Sequence, residues 1–140
     1  MMLARAPMPP AARLARWIPR LAGIPALVWG DFVLDEYWRC ATRRVSREAP
    51  VLVLEYQSRA IQGGGAANAA LNLAALGARV RVAGFVGDDA AGAELAELLR
   101  GAGVDAGGLV PQSARATVVK TRIVAGGSHT ARQQVVRVDR

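Results

Sequence analysis

Two carboxylates, Asp31 and Asp35 in "WGDFVLDEYW", stand just past the apolar run from Ile24 to Trp29. Further along, Gly63, Gly64 and Gly65 directly precede an Ala/Asn/Leu stretch whose first polar residue is Asn68. Carboxylates accept hydrogen bonds and can hold hydroxyl groups, and an amide both donates and accepts. Glycines let a ligand approach the main chain without a Cβ in the way. The start of the helix that follows offers unpaired N–H groups and the positive end of a dipole. The chemistry available is therefore the holding of a polar or anionic ligand. Each feature also has a plainer reading: Asp31 as a turn former, Asp35 as a surface charge, and the glycines as a turn into a packed helix. Asn72, four residues after Asn68, falls on nearly the same face and reads as structural. Neither familiar nucleotide loop fits, because there is no Gly-Lys-Ser/Thr and the dinucleotide fingerprint lacks its third glycine.

The elements that must position these residues follow from periodicity and punctuation. Residues 1–12, "MMLARAPMPPAA", are Pro/Ala-rich and predict a frayed start. "RLARWIPRLA" predicts a short amphipathic helix limited by Pro19; a targeting peptide is disfavoured by the lack of a continuous apolar segment. Ile24 to Gly30 predicts a buried strand with Trp29 in the core. "WRCATRRV" and "VLVLEYQSR" predict two strands joined by "SREAP". Gly65 to Leu76 predicts a helix closed by Gly77. "RVRVAGFVG" alternates as a strand, and in "DAAGAELAELLRGAG" Leu95, Leu98 and Leu99 share a helix face, with Glu94 and Glu97 near the exposed side. A turn over Asp105 to Gly108 leads to the strands "ATVVKTRIVAG" and "QQVVRVD", separated by the loop "GGSHTAR". Alternation places Lys120 and Arg122 on one face of their strand. The order predicts an α/β fold, with a central, mostly parallel sheet, flanking helices and a small β appendage. The chain stops on a strand without the further units that cover such a sheet, so the expectation is a truncated domain.

Composition narrows the classes. A chain of 140 residues with 52% hydrophobic residues can form a core, and no apolar run approaches the ~18 residues of a membrane span. Its single cysteine, Cys40, allows no intrachain disulfide or cysteine-based zinc site; it reads as inert packing in a reducing compartment, and the expected location is cytoplasmic. With a single histidine, His129, metal clusters and His-dependent triads lack parts, and in its Gly/Ser loop, with nothing to orient it, it reads as a surface residue. The net charge of +7 comes from 18 basic residues, of which only Lys120 is a lysine. They are mostly dispersed and few aromatics interleave with them, so a solvated basic surface is expected in place of a nucleic-acid site.

Read together, the pieces are more specific. "GGAANAALNLAALGARVRVAGFVGDD" resembles the first signature of the ribokinase-like (PfkB) family of sugar and nucleoside kinases, through two glycines, Asn68, and the spacings to Gly77 and Gly87. "GDFVLDEYW", "TRRVSREAPV", "TVVKTR" and "QQVVRVD" resemble one subgroup, the D-glycero-β-D-manno-heptose 7-phosphate kinases, alone or as the kinase half of a bifunctional ADP-heptose synthesis protein. The resemblance runs from about residue 23 to the end, which implies an extension at 1–22 and the sugar-binding half and lid of a kinase domain at 23–140.

The resemblance implies that Asp35 binds the sugar, with Asp31 as an additional acid of the subgroup, and that Gly64, Gly65 and Asn68 hold the sugar. The strands at 37–59, with later strands, would form a lid and build a homodimer. Lys120, Arg122 and Arg137 match basic positions and become candidates for the phosphate already on the substrate; for each the alternative is a solvent-facing strand residue. The implied activity is ATP- and Mg²⁺-dependent phosphorylation of the C1 hydroxyl, in the synthesis of lipopolysaccharide core precursors. The departures are Gly63 in place of a usual proline, Gln62 in place of a common arginine, and a longer "AGGSHTARQQ" loop. The family's Gly-Ala-Gly-Asp segment, which carries the catalytic base beside the ATP site, does not occur in residues 1–140. The chain alone is accordingly expected to be inactive. Two other readings stand: a PfkB kinase for ribose, fructose or 2-keto-3-deoxygluconate, and a non-catalytic module that binds a ligand or partner.

Overall fold

The computed structural model describes residues 15–126 and 132–140. The frayed start expected at 1–12, the first residues of the expected leading helix, and most of the expected "GGSHTAR" loop with His129 lie outside the described residues. Of the expected leading helix, the described part holds a single 3₁₀ turn at Ile18–Leu21, with Pro19 inside its first turn. Proline lacks the N–H a longer α-helix would need there.

Three strands, β1 (Pro25–Trp29), β4 (Arg79–Gly87) and β5 (Asp105–Gln112), form a parallel sheet in the order β1-β4-β5. Two helices, α1 (Ala66–Ala75) and α2 (Ala90–Gly101), cover one of its faces. α1 ends where expected: Gly77, at φ +88°, donates to the Ala74 carbonyl at 2.8 Å, and Ala78 donates to Leu73. The core between helices and sheet contains Val80, Val82, Val86, Leu95, Leu99 and Val104, all buried. Leu95 and Leu99 lie one turn apart on α2, so the amphipathic face read from sequence faces the sheet.

The other face of that sheet is bare. Trp29 is 82% exposed and Leu27 66%, with Phe85 and Val110 beside them. Trp29 is therefore not in the core, because period-two alternation turns it away from the helices while Ala26 and Val28 face them.

A second sheet, in the order β3-β2-β6-β7, contains β2 (Phe32–Val45), β3 (Leu52–Gly65), β6 (Val118–Gly126) and β7 (Gln133–Asp139). β2 and β6 run parallel, and β3 and β7 flank them antiparallel. Sequence periodicity finds these strands but starts β2 too late, at Trp38, and ends β3 at Arg59, where the structure carries it on to Gly65. β2 begins at Phe32, so Asp35 lies within a strand and not in a loop beyond β1. The segment Asp105–Gly108, expected as a turn, is the start of β5, which pairs with β4 from Arg81 onward. No helix among the described residues is long and apolar enough to cross a membrane.

Candidate functional site

The chain turns at Gly30 and Asp31 from the helix-backed sheet into β2, and the functional side chains gather around that turn. Along β2, Phe32 and Leu34 are buried in the core, so Val33, Asp35 and Tyr37 point to the opposite face. β6 lies beside β2 with Asp35 opposite Lys120 and Tyr37 opposite Arg122. Arg122 Nη1 donates to Asp35 Oδ1 at 2.5 Å, and its guanidinium lies 5.4 Å from the Tyr37 ring centre. Both members of the ion pair are largely buried, and the hydrogen bond to Asp35 holds the Arg122 guanidinium more firmly charged than usual.

On the other side of β2, the paired strand β3 brings the glycines to Asp35. A Cβ on Gly64 would lie 2.7 Å from Asp35 Oδ2, so the carboxylate occupies space that only glycine leaves free. Gly65 has φ +55°, and a Cβ there would lie 2.5 Å from the Asp31 carbonyl oxygen. That carbonyl accepts the first N–H of α1, from Ala66, at 2.9 Å. The glycines thus fasten the helix start to the β1–β2 turn.

Asn68 is exposed on the first turn of α1. Asn72 Nδ2 donates to its Oδ1 at 3.2 Å and to its backbone carbonyl at 2.9 Å. Asn72 orients the Asn68 amide, leaving Asn68 Nδ2 to donate elsewhere.

A cavity of about 570 Å³ opens where the two sheets meet. Its wall includes Trp29, Asp31, Val33, Phe85, Arg115, Thr117 and Lys120. Of the sequence-derived candidates, Asp31 and Lys120 line this cavity, while Asp35, Gly64 and Arg122 form a connected group beside it. Arg137 is exposed on β7, opposite Arg122, and pairs with Asp139 at 2.9 Å, away from the cavity wall. A larger cavity, of about 770 Å³, lies at the far end of the parallel strands against Leu27, Arg79 and Arg81 and contains none of these residues.

Several contributors escaped the sequence reading. Asp89 caps α2 by accepting from Gly92 N–H at 2.8 Å, and also accepts from Thr117 N–H at 2.9 Å and Thr117 Oγ1 at 2.7 Å. The Thr117 side-chain hydrogen bond, followed by its backbone N–H, holds the Asp89 carboxyl below its ordinary range. Thr117 Oγ1 accepts from Gly87 N–H at 2.8 Å, so "GDD" anchors the segment entering β6 at the cavity wall. The sequence signal was present in the aspartate just before an apolar helix pattern, an ordinary N-cap position.

Glu36 was also missed, although the alternation Phe32–Leu34–Glu36 places it on the core face. It is 4% exposed and accepts from Thr121 Oγ1 at 2.6 Å and from Arg59 Nε. Burial alone would raise its carboxyl, but the hydrogen bonds from Thr121 and Arg59 prevail and hold it below the usual range. Arg59 also donates to both oxygens of Glu94 on α2, at 3.0 and 2.6 Å, linking the second sheet to the helical layer. Among the described residues, no group of three or more His, Cys, Asp or Glu side chains could hold a metal ion.

Comparison with known proteins bears on this geometry. The model of the pfkB family carbohydrate kinases matches residues 27–134. The chain is 46% identical over 123 residues to the bifunctional protein HldE of Pseudomonas fluorescens SBW25, and 48% over 117 residues to that of Geobacter metallireducens. These matches take in 87% and 84% of this chain but 24% and 23% of the relatives, so the chain spans about a quarter of their length. Among solved structures, a carbohydrate kinase from Agrobacterium tumefaciens superposes with a TM-score of 0.59 at 27% identity, covering 84% of this chain and 35% of that one. The Arabidopsis thaliana ribokinase complexed with ribose and ATP also gives 0.59, at 22% identity over 85% of this chain and 36% of its own, a likeness of fold.

Proposed function

The chain belongs to the pfkB family of carbohydrate kinases, and from that premise we propose that it supplies the acceptor-binding part of an ATP-dependent sugar kinase. The proposed acceptor is D-glycero-β-D-manno-heptose 7-phosphate, phosphorylated at its C1 hydroxyl in ADP-heptose synthesis. The observation that carries this reading is the Asp35 carboxylate, fixed between Gly64 and Arg122 beside a cavity lined by Asp31, Arg115 and Lys120. Carboxylates suit the hydroxyls of a sugar and cations suit a phosphate ester. The similarity to proteins named HldE supports the heptose over ribose or fructose.

In this reading Asp35 receives sugar hydroxyls, Arg122 holds its carboxylate in position, and Asn68 Nδ2 donates to the sugar. Holding the acceptor in one pose is worth several kcal/mol of barrier in such reactions. ATP would supply the phosphoryl group in line, and Mg²⁺ would neutralise charge on it. Residues 23–140 then constitute the sugar-binding half and lid, and a homodimer would use the apolar far end of the lid, where Val45, Val51, Leu52 and Tyr56 are exposed.

The test is a coupled ADP-release assay with heptose 7-phosphate, ribose, fructose and 2-keto-3-deoxygluconate. The expected outcome is no turnover by the purified 140-residue chain, and turnover of heptose 7-phosphate above the other sugars by the protein joined to a complete kinase domain. ATP-dependent phosphorylation by residues 1–140 alone would defeat the assignment of this chain to the acceptor side only. A preference for ribose, fructose or 2-keto-3-deoxygluconate would defeat the heptose assignment.

A further inference from the structure

Two cations line the cavity at the junction of the sheets, Arg115 and Lys120, and neither forms an ion pair with a carboxylate of the described residues. The other basic candidates differ: Arg122 is bound to Asp35 and Arg137 to Asp139, and neither is part of the wall. Arg115 itself is exposed, in the segment that leads into β6. Two residues later, Thr117 is fixed by three hydrogen bonds, two given to Asp89 and one received from Gly87. Asp89 is itself fastened to the first turn of α2. Arg115 thus lies two residues before an anchored point of the main chain, and its planar fork of N–H donors suits phosphate oxygens in pairs. Lys120 adds a second charge on the adjoining strand, and Asp31 supplies a hydroxyl acceptor on the same wall.

We propose that Arg115, acting with Lys120, is the specificity-determining residue that binds the phosphate ester of the acceptor, and that Arg122 acts indirectly by positioning Asp35. The inference rests on the acceptor reading above and sharpens it, because it moves phosphate recognition from the two arginines paired with carboxylates to the cavity wall.

Calorimetric titration of the 140-residue chain tests it, with heptose 7-phosphate, unphosphorylated heptose, inorganic phosphate and ATP as probes. Arg115→Ala should weaken heptose 7-phosphate binding by about tenfold or more, the size expected for a lost charge-assisted hydrogen bond. Binding of the unphosphorylated heptose should stay within about twofold, since the lost contacts are to phosphate. Arg115→Lys should recover part of the loss, and Arg122→Met should weaken both sugars alike. Unchanged affinity of Arg115→Ala for heptose 7-phosphate, or an equal loss for both sugars, would overturn the role of Arg115 while leaving the acceptor reading intact. Inorganic phosphate or ATP binding as tightly and losing as much would give the site to free or nucleotide phosphate, and would overturn the sugar-phosphate assignment. Failure of the wild-type chain to bind either sugar would instead defeat the acceptor reading, and the inference with it.

Discussion

The two sheets of this protein solve different problems. Helices cover only one face of the parallel sheet β1-β4-β5, and the other leaves Leu27, Trp29 and Phe85 in the open beside the exposed Arg81 and Asp105. Its buried face is built from small and branched side chains, and it carries almost no polar interaction. The sheet β3-β2-β6-β7 carries the less exposed ion pairs: Asp35–Arg122 on one face, and Glu36 with Arg59, joined by Thr121, on the other, whereas the Arg81–Asp105 pair of the first sheet is exposed. The difference shows how work is divided between them. Hydrophobic burial, which has no direction, holds the first sheet to its helices. Directional hydrogen bonds set the second, where a ligand would need fixed donors and acceptors.

Urea unfolding of paired variants would break or sharpen this contrast. The largest effect is expected in the buried layer: Leu99→Ala, which empties a fully buried site, should cost about 2–5 kcal/mol. Leu27→Ser, on the bare face of the same sheet, should change stability by less than about 0.5 kcal/mol. Similar losses from the two would show that both faces are covered in solution.

A smaller effect is expected in the polar sheet. Glu36→Ala deprives Thr121 and Arg59 of a buried acceptor and should cost about 1–3 kcal/mol. Glu94→Ala removes only the half-exposed end of the same bridge, and should cost less than about 1 kcal/mol. If the two variants were equally destabilised, the buried carboxylate would not be the organising partner.

A further, local effect lies at the junction. Asp89→Ala should lose about 1 kcal/mol as a missing helix cap. Because the folded protein holds this carboxyl below its ordinary value of 3.8, Asp89 stabilises at higher pH, and that contribution fades as pH falls below 3.8 toward the folded value. The variant should therefore show a flatter acid limb than the wild type over that range; identical limbs would remove Asp89 from the account.

Much of this was legible from local pattern. The two helices, read from Gly65 and Asp89 and starting one residue later at Ala66 and Ala90, the Gly77 terminator and the alternation of β4 and β6 follow from periodicity and turn chemistry that act over a few residues. β5 was not, because "DAGGLVPQ" has turn composition, and only pairing with β4 makes it a strand. Trp29 was assigned to the core by its apolar neighbours, and the side of the sheet it faces depends on where the helices pack. For the site, residue types and order pointed to Asp31, Asp35, the glycines and Asn68. They could not tell which arginines were already paired, since Arg122 meets Asp35 across strands distant in the chain.

The sequence by itself determined the family, through the spacing of Gly64, Asn68, Gly77 and Gly87, and it determined the elements whose periods are set by adjacent residues. Tertiary structure alone decided which cavity cations have no carboxylate partner among the described residues, where Arg115 stands, and that Asp89 links the α2 cap to the cavity wall. The reason is physical: periodicity reports which face a residue takes within its own element, whereas pairing and desolvation depend on what another element brings against that face.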